Sequence, residues 1–88
     1  MEIRNIKTFI KAAETGNFTK TAEELGYSQG TVTLQIKQLE DELGVPLFNR
    51  TGKRIELSEK GREFMNYAYS IVKTEAEARS AMEEKSEI

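Results

Sequence analysis

Three glycines divide the first 44 residues into three amphipathic helical stretches. Gly16, Gly26 and Gly44 each follow an amphipathic stretch, at the position where a helix commonly ends in a left-handed residue. The glycines and the helical spacing of the apolar residues between them therefore predict three separate amphipathic helices.

The capping residues place the boundaries of these helices. The first covers residues 3–15, where apolar side chains recur at helical spacing. The second begins after Asn17 or Thr19, because either side chain can cap its first turn. The third begins after the N-cap Ser28 and ends at Leu43, since a glycine and then a proline prevent it from continuing. Its core-facing stripe is Val32, Ile36, Leu39 and Leu43.

The connection between the second and third helices consists of Gly26, Tyr27 and Ser28. So short a connection requires a tight turn, and the small Ala22 lets the two helices approach closely, as in a helix-turn-helix. An ordinary helix hairpin in a small bundle fits the same pattern. The turn by itself leaves both interpretations open.

The segment after the third helix changes from helical to strand periodicity. Residues 47–50 and 54–57 predict two short strands around a turn that contains Gly52. The cations at or beside the tip of this hairpin are Arg50, Lys53 and Arg54. A basic hairpin after a helix-turn-helix is typical of a winged helix, whose wing contacts phosphates or enters the minor groove. The alternative is a turn that carries cations only for solubility.

The side of the third helix opposite its core stripe is polar and carries no acid. No Asp or Glu occurs from Ser28 to Leu39, and a positive charge appears at Lys37. This gradient suits a helix whose N-terminal half enters the major groove of DNA. Leu34, at the centre of the surface, can contact a thymine methyl group. The surface carries Gly30, Leu34, Lys37 and Gln38, with Gln29, Thr31 and Thr33 on its flanks and Ser28 at its start.

Ser58 predicts the start of a long last helix, which runs from Glu59 to about Glu84. At ~1.5 Å per residue this helix is roughly 40 Å long, more than the width of the body before it. We therefore expect a second copy of the chain to cover part of it. The predicted dimerisation stripe is Phe64, Tyr67, Ala68, Ile71, Ala78 and Met82, interrupted by Glu75.

These elements predict a mainly α fold, with three helices and a two-stranded wing followed by the long helix. We divide the chain into a winged helix-turn-helix domain, residues 1–58, and a linker or dimerisation helix, residues 59–88. After residue 80 a solvated tail is an open alternative to a continued helix-helix contact.

Composition excludes several kinds of function. The 88 residues include no cysteine and no histidine, which excludes disulfides, zinc fingers, thiolate or imidazole catalysis and Ser-His triads. We therefore expect no enzyme activity, no cofactor and no metal site. No stretch approaches the ~18 apolar residues of a membrane span, and the lack of cysteine favours a cytoplasmic location.

The net charge of −2 and the pI of about 5.2 argue at first against a nucleic-acid binder. The charge is unevenly distributed, however. Residues 1–62 carry 10 basic and 9 acidic side chains, whereas residues 63–88 carry 3 and 6. The acidic pI thus excludes a protein that coats DNA nonspecifically, but it is compatible with a dimer that has a few well-placed cations. We expect weak nonspecific binding.

The run ELGVPLF-x-RTG at 42–52 and several shorter segments along the chain resemble the N-terminal domain of LysR-type transcriptional regulators. The resemblance covers about residues 1–70, and its most specific part is the run ELGVPLF-x-RTG at 42–52. The other matching segments are Phe18-Thr19, Ala22–Leu25, Ser28-Gln29, Gln35–Glu40 and Leu57–Gly61.

This resemblance implies a winged helix-turn-helix whose linker helix pairs antiparallel with its twin. It also implies a larger C-terminal domain, absent from this chain, that binds a small-molecule effector and drives tetramer formation. By the same resemblance the DNA contacts are Thr19, Gln29, Thr33, Leu34, Lys37, Arg50, Lys53 and Arg54. The family commonly has proline or serine where this chain has Gly30, and arginine where it has Leu34, so base preference does not transfer from relatives.

The sequence therefore predicts the DNA-binding portion of a longer bacterial LysR-type regulator. We expect a homodimer that binds double-stranded DNA at an interrupted palindromic operator. The alternative is a winged-helix module that binds protein, without specific DNA binding. The overall acidity and the exposed Leu34 motivate this alternative.

Overall fold

The computed structural model describes residues 1–52 and 54–83. The elements are α1 (Ile3–Thr15), α2 (Phe18–Leu25), α3 (Gln29–Leu43), β1 (Phe48–Thr51), β2 (Arg54–Leu57) and α4 (Glu59–Glu83). Their type and order confirm the predicted winged helix-turn-helix with a long final helix. The predicted wing residue Lys53 and the predicted end of the last helix, from Glu84 onward, lie outside the described residues.

The helix ends follow the predicted capping chemistry. α1, α2 and α3 each end at a glycine with φ between 71° and 77°. Of the two candidate caps of α2, Asn17 is the one used: its Oδ1 accepts a hydrogen bond from the Lys20 N–H at 2.8 Å. Ser28 Oγ accepts from the Thr31 N–H at 3.1 Å and caps α3. Local sequence therefore determines where these helices begin and end.

Phe9 joins the helical body to both the wing and α4. Its side chain is completely buried, and its ring centroid lies 5.4 Å from that of Phe48 on β1 and 5.3 Å from that of Phe64 on α4. Such aromatic pairs contribute about 0.5–1.5 kcal/mol beyond their buried area. One side chain thus anchors both additions to the three-helix body. The buried apolar core is Ile6, Phe9, Ala12, Phe18, Ala22, Val32, Ile36, Leu39, Leu47, Phe48, Ile55 and Ala68.

The wing is an antiparallel hairpin that is fixed against the helices at its base. Arg50 pairs with Ile55 and Thr51 with Arg54 in the register of the two strands. A two-stranded hairpin is marginal by itself, so its stability depends on docking. Ile55 docks the hairpin against the helices. Its side chain is buried, and its N–H donates a hydrogen bond to the Gly16 carbonyl at 3.1 Å. The strand that carries Arg54 is therefore held to the end of α1.

Ser58 connects the wing to α4. Its Oγ donates to the Pro46 carbonyl at 2.8 Å and accepts from the Gly61 N–H at 2.9 Å, as a helix cap. The first turn of α4 comes so close to the preceding loop that a Cβ at Gly61 would lie 2.1 Å from the Leu47 carbonyl oxygen. This close approach sets the direction in which α4 leaves the body.

The predicted dimerisation stripe on α4 is not one exposed surface. Some of its residues are buried within their own chain, and the others are exposed. Ala68 is 0% exposed inside its own chain, so it offers no surface to a second copy. Phe64 and Ile71 are half-buried against the same core. The reason is that α4 packs along α1, where Phe64 also meets the ring of Phe9. Only Tyr67, Ala78 and Met82 of the stripe are exposed.

Candidate nucleic-acid interface

The outer face of α3 carries the predicted contact residues. Leu34 is 55% exposed at its centre, and Gly30 and Lys37 are exposed on either side of it along the helix. Val32 and Ile36 point the opposite way and are buried in the core. The predicted orientation of α3 is therefore confirmed. In the predicted set, Ser28 and Gln29 are exposed, and Thr31 and Thr33 are half-buried.

The first turn of α3 presents backbone donors. The hydroxyls of Ser28 and Thr31 lie 3.0 Å apart, and Ser28 Oγ also caps the helix, so both side chains shape its N-terminus. The N–H groups of a first turn have no partner within the helix, and they carry the positive end of the helix dipole. Gly30 has no side chain to screen this turn, and a Cβ there would meet only Ser28 Oγ, at 3.9 Å. An anion or a base edge can therefore approach closely.

Thr19 holds Gln29 in place. The Thr19 hydroxyl donates a hydrogen bond to Gln29 Oε1 at 3.1 Å, between the start of α2 and the start of α3. The Gln29 amide NH₂ then remains available as a donor. In the major groove such a donor matches N7 or O6 of guanine, N7 of adenine or O4 of thymine. The sequence predicted Thr19 only as a DNA contact, and its bond to Gln29 was missed.

The wing brings a guanidinium to the same surface. Arg50 lies over the Phe18 ring, with its Cζ 5.1 Å from the ring centroid. This cation–π contact is worth about 0.5–1 kcal/mol at an exposed site and directs the charge toward the start of α2. A polar cleft of about 390 Å³ separates Arg50 from Thr19 and Gln29. Arg54 is exposed near the wing tip, opposite Thr51.

The acids at the far end of α3 have partners of their own. Glu40 Oε2 accepts a hydrogen bond from the Leu47 N–H at 2.7 Å and so holds the loop that leads to the wing. Lys37 Nζ lies 3.5 Å from Asp41 Oδ2, and both side chains are about two-thirds exposed, at 68% and 66%. Exposed ion pairs contribute about 0–1 kcal/mol, so Lys37 can exchange this carboxylate for an acceptor on DNA at little cost.

Two hydrogen bonds fix α3 against α1. Thr8 Oγ1 donates to Gln35 Oε1 at 2.5 Å within the core, and Asn5 Nδ2 donates to Gln38 Oε1 at 3.3 Å. Asn5, Thr8 and Gln35 are all buried. These positioning residues were missed from the sequence. The sequence feature that could have identified them is the presence of Asn5 and Thr8 beside the apolar stripe of α1, where a buried polar group needs a partner.

The exposed surface of α4 combines apolar side chains with ion pairs. Tyr67, Tyr69 and Met82 are 63%, 51% and 68% exposed. Arg79 Nε donates to Glu75 Oε2 at 3.1 Å, and this bond lowers the pKa of the Glu75 carboxyl and raises that of Arg79. No described helix is long and apolar enough to cross a membrane, and residues 1–52 and 54–83 hold no cluster of three metal-ligating side chains.

The fold and this surface define a winged helix-turn-helix DNA-binding domain. Residues 3–62 match the family profile described as "Bacterial regulatory helix-turn-helix protein, lysR family". The match spans more than half of the chain, which belongs to the LysR family. Its resemblance to these regulators, noted from the ELGVPLF-x-RTG run, is thereby confirmed.

Two relatives in Bacillus subtilis (strain 168) are named as HTH-type transcriptional regulators. The uncharacterized regulator YwqM is 52% identical over 81 residues, which are 92% of this chain and 28% of the relative. CitR is 46% identical over 72 residues, 82% of this chain and 25% of the relative. The chain thus spans about a quarter of the length of these relatives.

Two solved complexes with DNA share the fold along nearly the whole chain. The CbnR_DBD–DNA complex has a TM-score of 0.92 at 35% identity, over 98% of this chain and 99% of that one. The BenM_DBD/catB site 1 DNA complex has a TM-score of 0.90 at 29% identity, over 99% and 94%. These neighbours favour DNA binding over the alternative of a protein-binding module.

Proposed function

We propose that this chain binds double-stranded DNA sequence-specifically, with the outer face of α3 in the major groove and the wing on the sugar-phosphate backbone. The observation that carries the proposal is the position of Arg50, which lies beside an α3 surface without acids and across a polar cleft from Gln29. Donor groups and cations thus share one surface, while Glu40 holds the loop before the wing and Asp41 lies beside Lys37 at the far end of α3.

The residues divide into base contacts and phosphate contacts. Gln29, Thr33, Leu34 and Lys37 face the groove, and Gly30 lets the backbone approach closely. The phosphate contacts are Thr19, Ser28, Thr31, Arg50, Lys53 and Arg54, of which Lys53 lies outside the described residues. The Thr19 hydroxyl also positions Gln29, to which it donates a hydrogen bond.

The chain acts as a homodimer in this proposal. Tyr67, Ala78 and Met82 supply the exposed apolar part of α4 that a second copy covers. Two copies related by a two-fold axis place two recognition helices on successive major grooves, so the operator is an interrupted palindrome.

The whole regulator extends beyond this chain in the proposal. The regulators YwqM and CitR are several times longer than the matched segment. A C-terminal domain then binds a small-molecule effector and drives tetramer formation, and residues 59–88 link it to the winged domain, residues 1–58. The protein works as a regulator in the cytoplasm, without catalysis.

A binding titration over a range of salt concentrations tests the DNA-binding proposal. Each phosphate contact contributes about −0.9 to the slope of log K against log salt, so we expect a clearly negative slope on a palindromic duplex. Arg54→Ala should reduce this slope by about 0.9 per protomer and weaken binding to all sequences equally. Lys73→Ala is the matched control, because Lys73 is exposed on α4 and paired with Glu77. A wild-type affinity without salt dependence would contradict the proposal.

A further inference from the structure

α3 has two flanks, one on either side of Leu34. Successive residues are rotated by ~100° about the helix axis, which places some polar side chains on the flank toward the wing and others on the flank toward α1. The wing flank carries Gln29, Thr33 and Lys37, and the α1 flank carries Thr31, Gln35 and Gln38. The assigned DNA contacts on neighbouring elements that the structure describes, Thr19, Arg50 and Arg54, lie on the wing flank.

The α1 flank has its own cleft and its own cation. A cleft of about 380 Å³ lies between the start of α1 and α3, and Arg4, Leu34 and Gln38 line it. Arg4 is exposed. The guanidinium of Arg50 borders the cleft on the other flank, next to Gln29. The outer face of α3 therefore has an arginine beside it on both sides.

The position of Arg4 relative to α3 is fixed by its neighbours. Asn5, the next residue, is 2% exposed and donates its side-chain hydrogen bond to Gln38. One turn further along α1, Thr8 is bonded to Gln35 inside the core. These two bonds hold the first turn of α1, and with it the backbone of Arg4, alongside the recognition surface.

Arg4 is one of the cations of the described residues that no carboxylate neutralises through an ion pair. In residues 1–52 and 54–83, Arg4 and Arg50 have no ion-pair partner, and the same holds for Lys7, Lys20, Arg54 and Arg62. The carboxylate that shares the Arg4 cleft is Glu2, and Glu75 on the α4 side is occupied by Arg79. The cations with carboxylate partners are Lys11, Lys37, Lys60, Lys73 and Arg79.

We propose that Arg4 contacts a backbone phosphate on the DNA strand across the major groove from the strand that the wing contacts. The inference rests on the proposed function. The groove is about 12 Å wide, and a helix with its side chains is about 10–12 Å in diameter, so an inserted helix turns its two flanks toward the two bordering backbones. Arg50 faces one of these backbones and Arg4 the other. α1 thereby joins the DNA-binding surface.

The first test compares two substitutions on α1 that remove the same charge. Arg4→Gln should reduce the slope of log K against log salt by about 0.9 per bound protomer, with equal loss on specific and scrambled duplexes. Lys11→Gln is the control, because Lys11 is paired with Glu14 and Glu24 and is seven residues further along the helix. Arg4→Lys keeps the charge and should keep the slope, which separates a lost contact from a folding defect. Equal slopes for Arg4→Gln and Lys11→Gln would overturn the inference.

The second test locates the contact on the DNA. Duplexes with one neutral methylphosphonate at each backbone position in turn identify the phosphates on which wild-type binding depends. Arg4→Gln should lose its sensitivity at a phosphate on one strand, and Arg50→Gln at a phosphate on the strand across the groove. If Arg4→Gln retains every wild-type sensitivity, or loses the same one as Arg50→Gln, the inference is wrong. If the wild type binds no duplex, it is the proposed function itself that fails.

Discussion

Replacing Gly61 by alanine should destabilise the fold, although alanine is the better helix former. An added Cβ would lie 2.1 Å from the Leu47 carbonyl oxygen, whereas ordinary contacts begin at 3.4 Å, so the two backbones must separate by about 1.3 Å. Overpacking of this kind costs about 1–3 kcal/mol, and loss of the Ser58 cap adds about 1 kcal/mol. The higher helix propensity of alanine than of glycine offsets about 1 kcal/mol of this loss. The net loss is about 2 kcal/mol, which lowers Tm by roughly 10 °C in a domain of this size.

The same substitution at Gly30 is the matched control. A Cβ there would meet only Ser28 Oγ, at 3.9 Å, and the position is exposed on α3. Gly30→Ala should therefore stabilise the protein by about 0.4–1 kcal/mol, through the entropy of the unfolded chain. Thermal unfolding of both variants at one protein concentration measures the difference. The reasoning is refuted if Gly61→Ala unfolds at or above the wild-type temperature.

Three further predictions concern binding, assembly and the α1–α3 contact. Gln29→Ala should cost about 1–3 kcal/mol of binding free energy and relax one base position. Titration against single-base operator variants measures this, and an equal loss of affinity on every variant would contradict the prediction. Met82→Lys should weaken the dimer at least about tenfold, since burial of a methionine is worth about 1.5–3 kcal/mol; an unchanged sedimentation profile argues against an α4 contact. Thr8→Val should lower the free energy of unfolding in urea by about 1–3 kcal/mol because Gln35 Oε1 loses its donor, while Thr19→Val, at an exposed hydroxyl, should change it little.

The fold was predictable wherever local chemistry determines it. Ser28 and Ser58 cap the helices that they were expected to cap, and Gly26 ends α2 as predicted. A cap acts within one turn, so the residues that determine it are adjacent in sequence. The outer face of α3 was predictable for the same reason, because helical spacing alone determines which side chains lie opposite Val32.

Contacts between distant segments could not be predicted in the same way. The stripe on α4 predicted a partner for Ala68, but periodicity does not say whether that partner is a second copy or the chain's own α1. The bond between Thr19 and Gln29 depends on the angle of the turn between α2 and α3, which the sequence does not specify. Arg4 was recognisable as a surface cation, yet its place beside Leu34 follows from how α1 crosses α3.

Selection of bound duplexes from a random DNA pool tests the central claim most directly, because it requires no prior operator. The account predicts enrichment of one interrupted palindrome, whose two half-sites reflect two copies of the outer face of α3 on successive major grooves. Gln29→Ala should select the same palindrome with one position relaxed in each half-site. A pool that shows no enriched sequence after repeated rounds at low salt would contradict sequence-specific recognition by this surface.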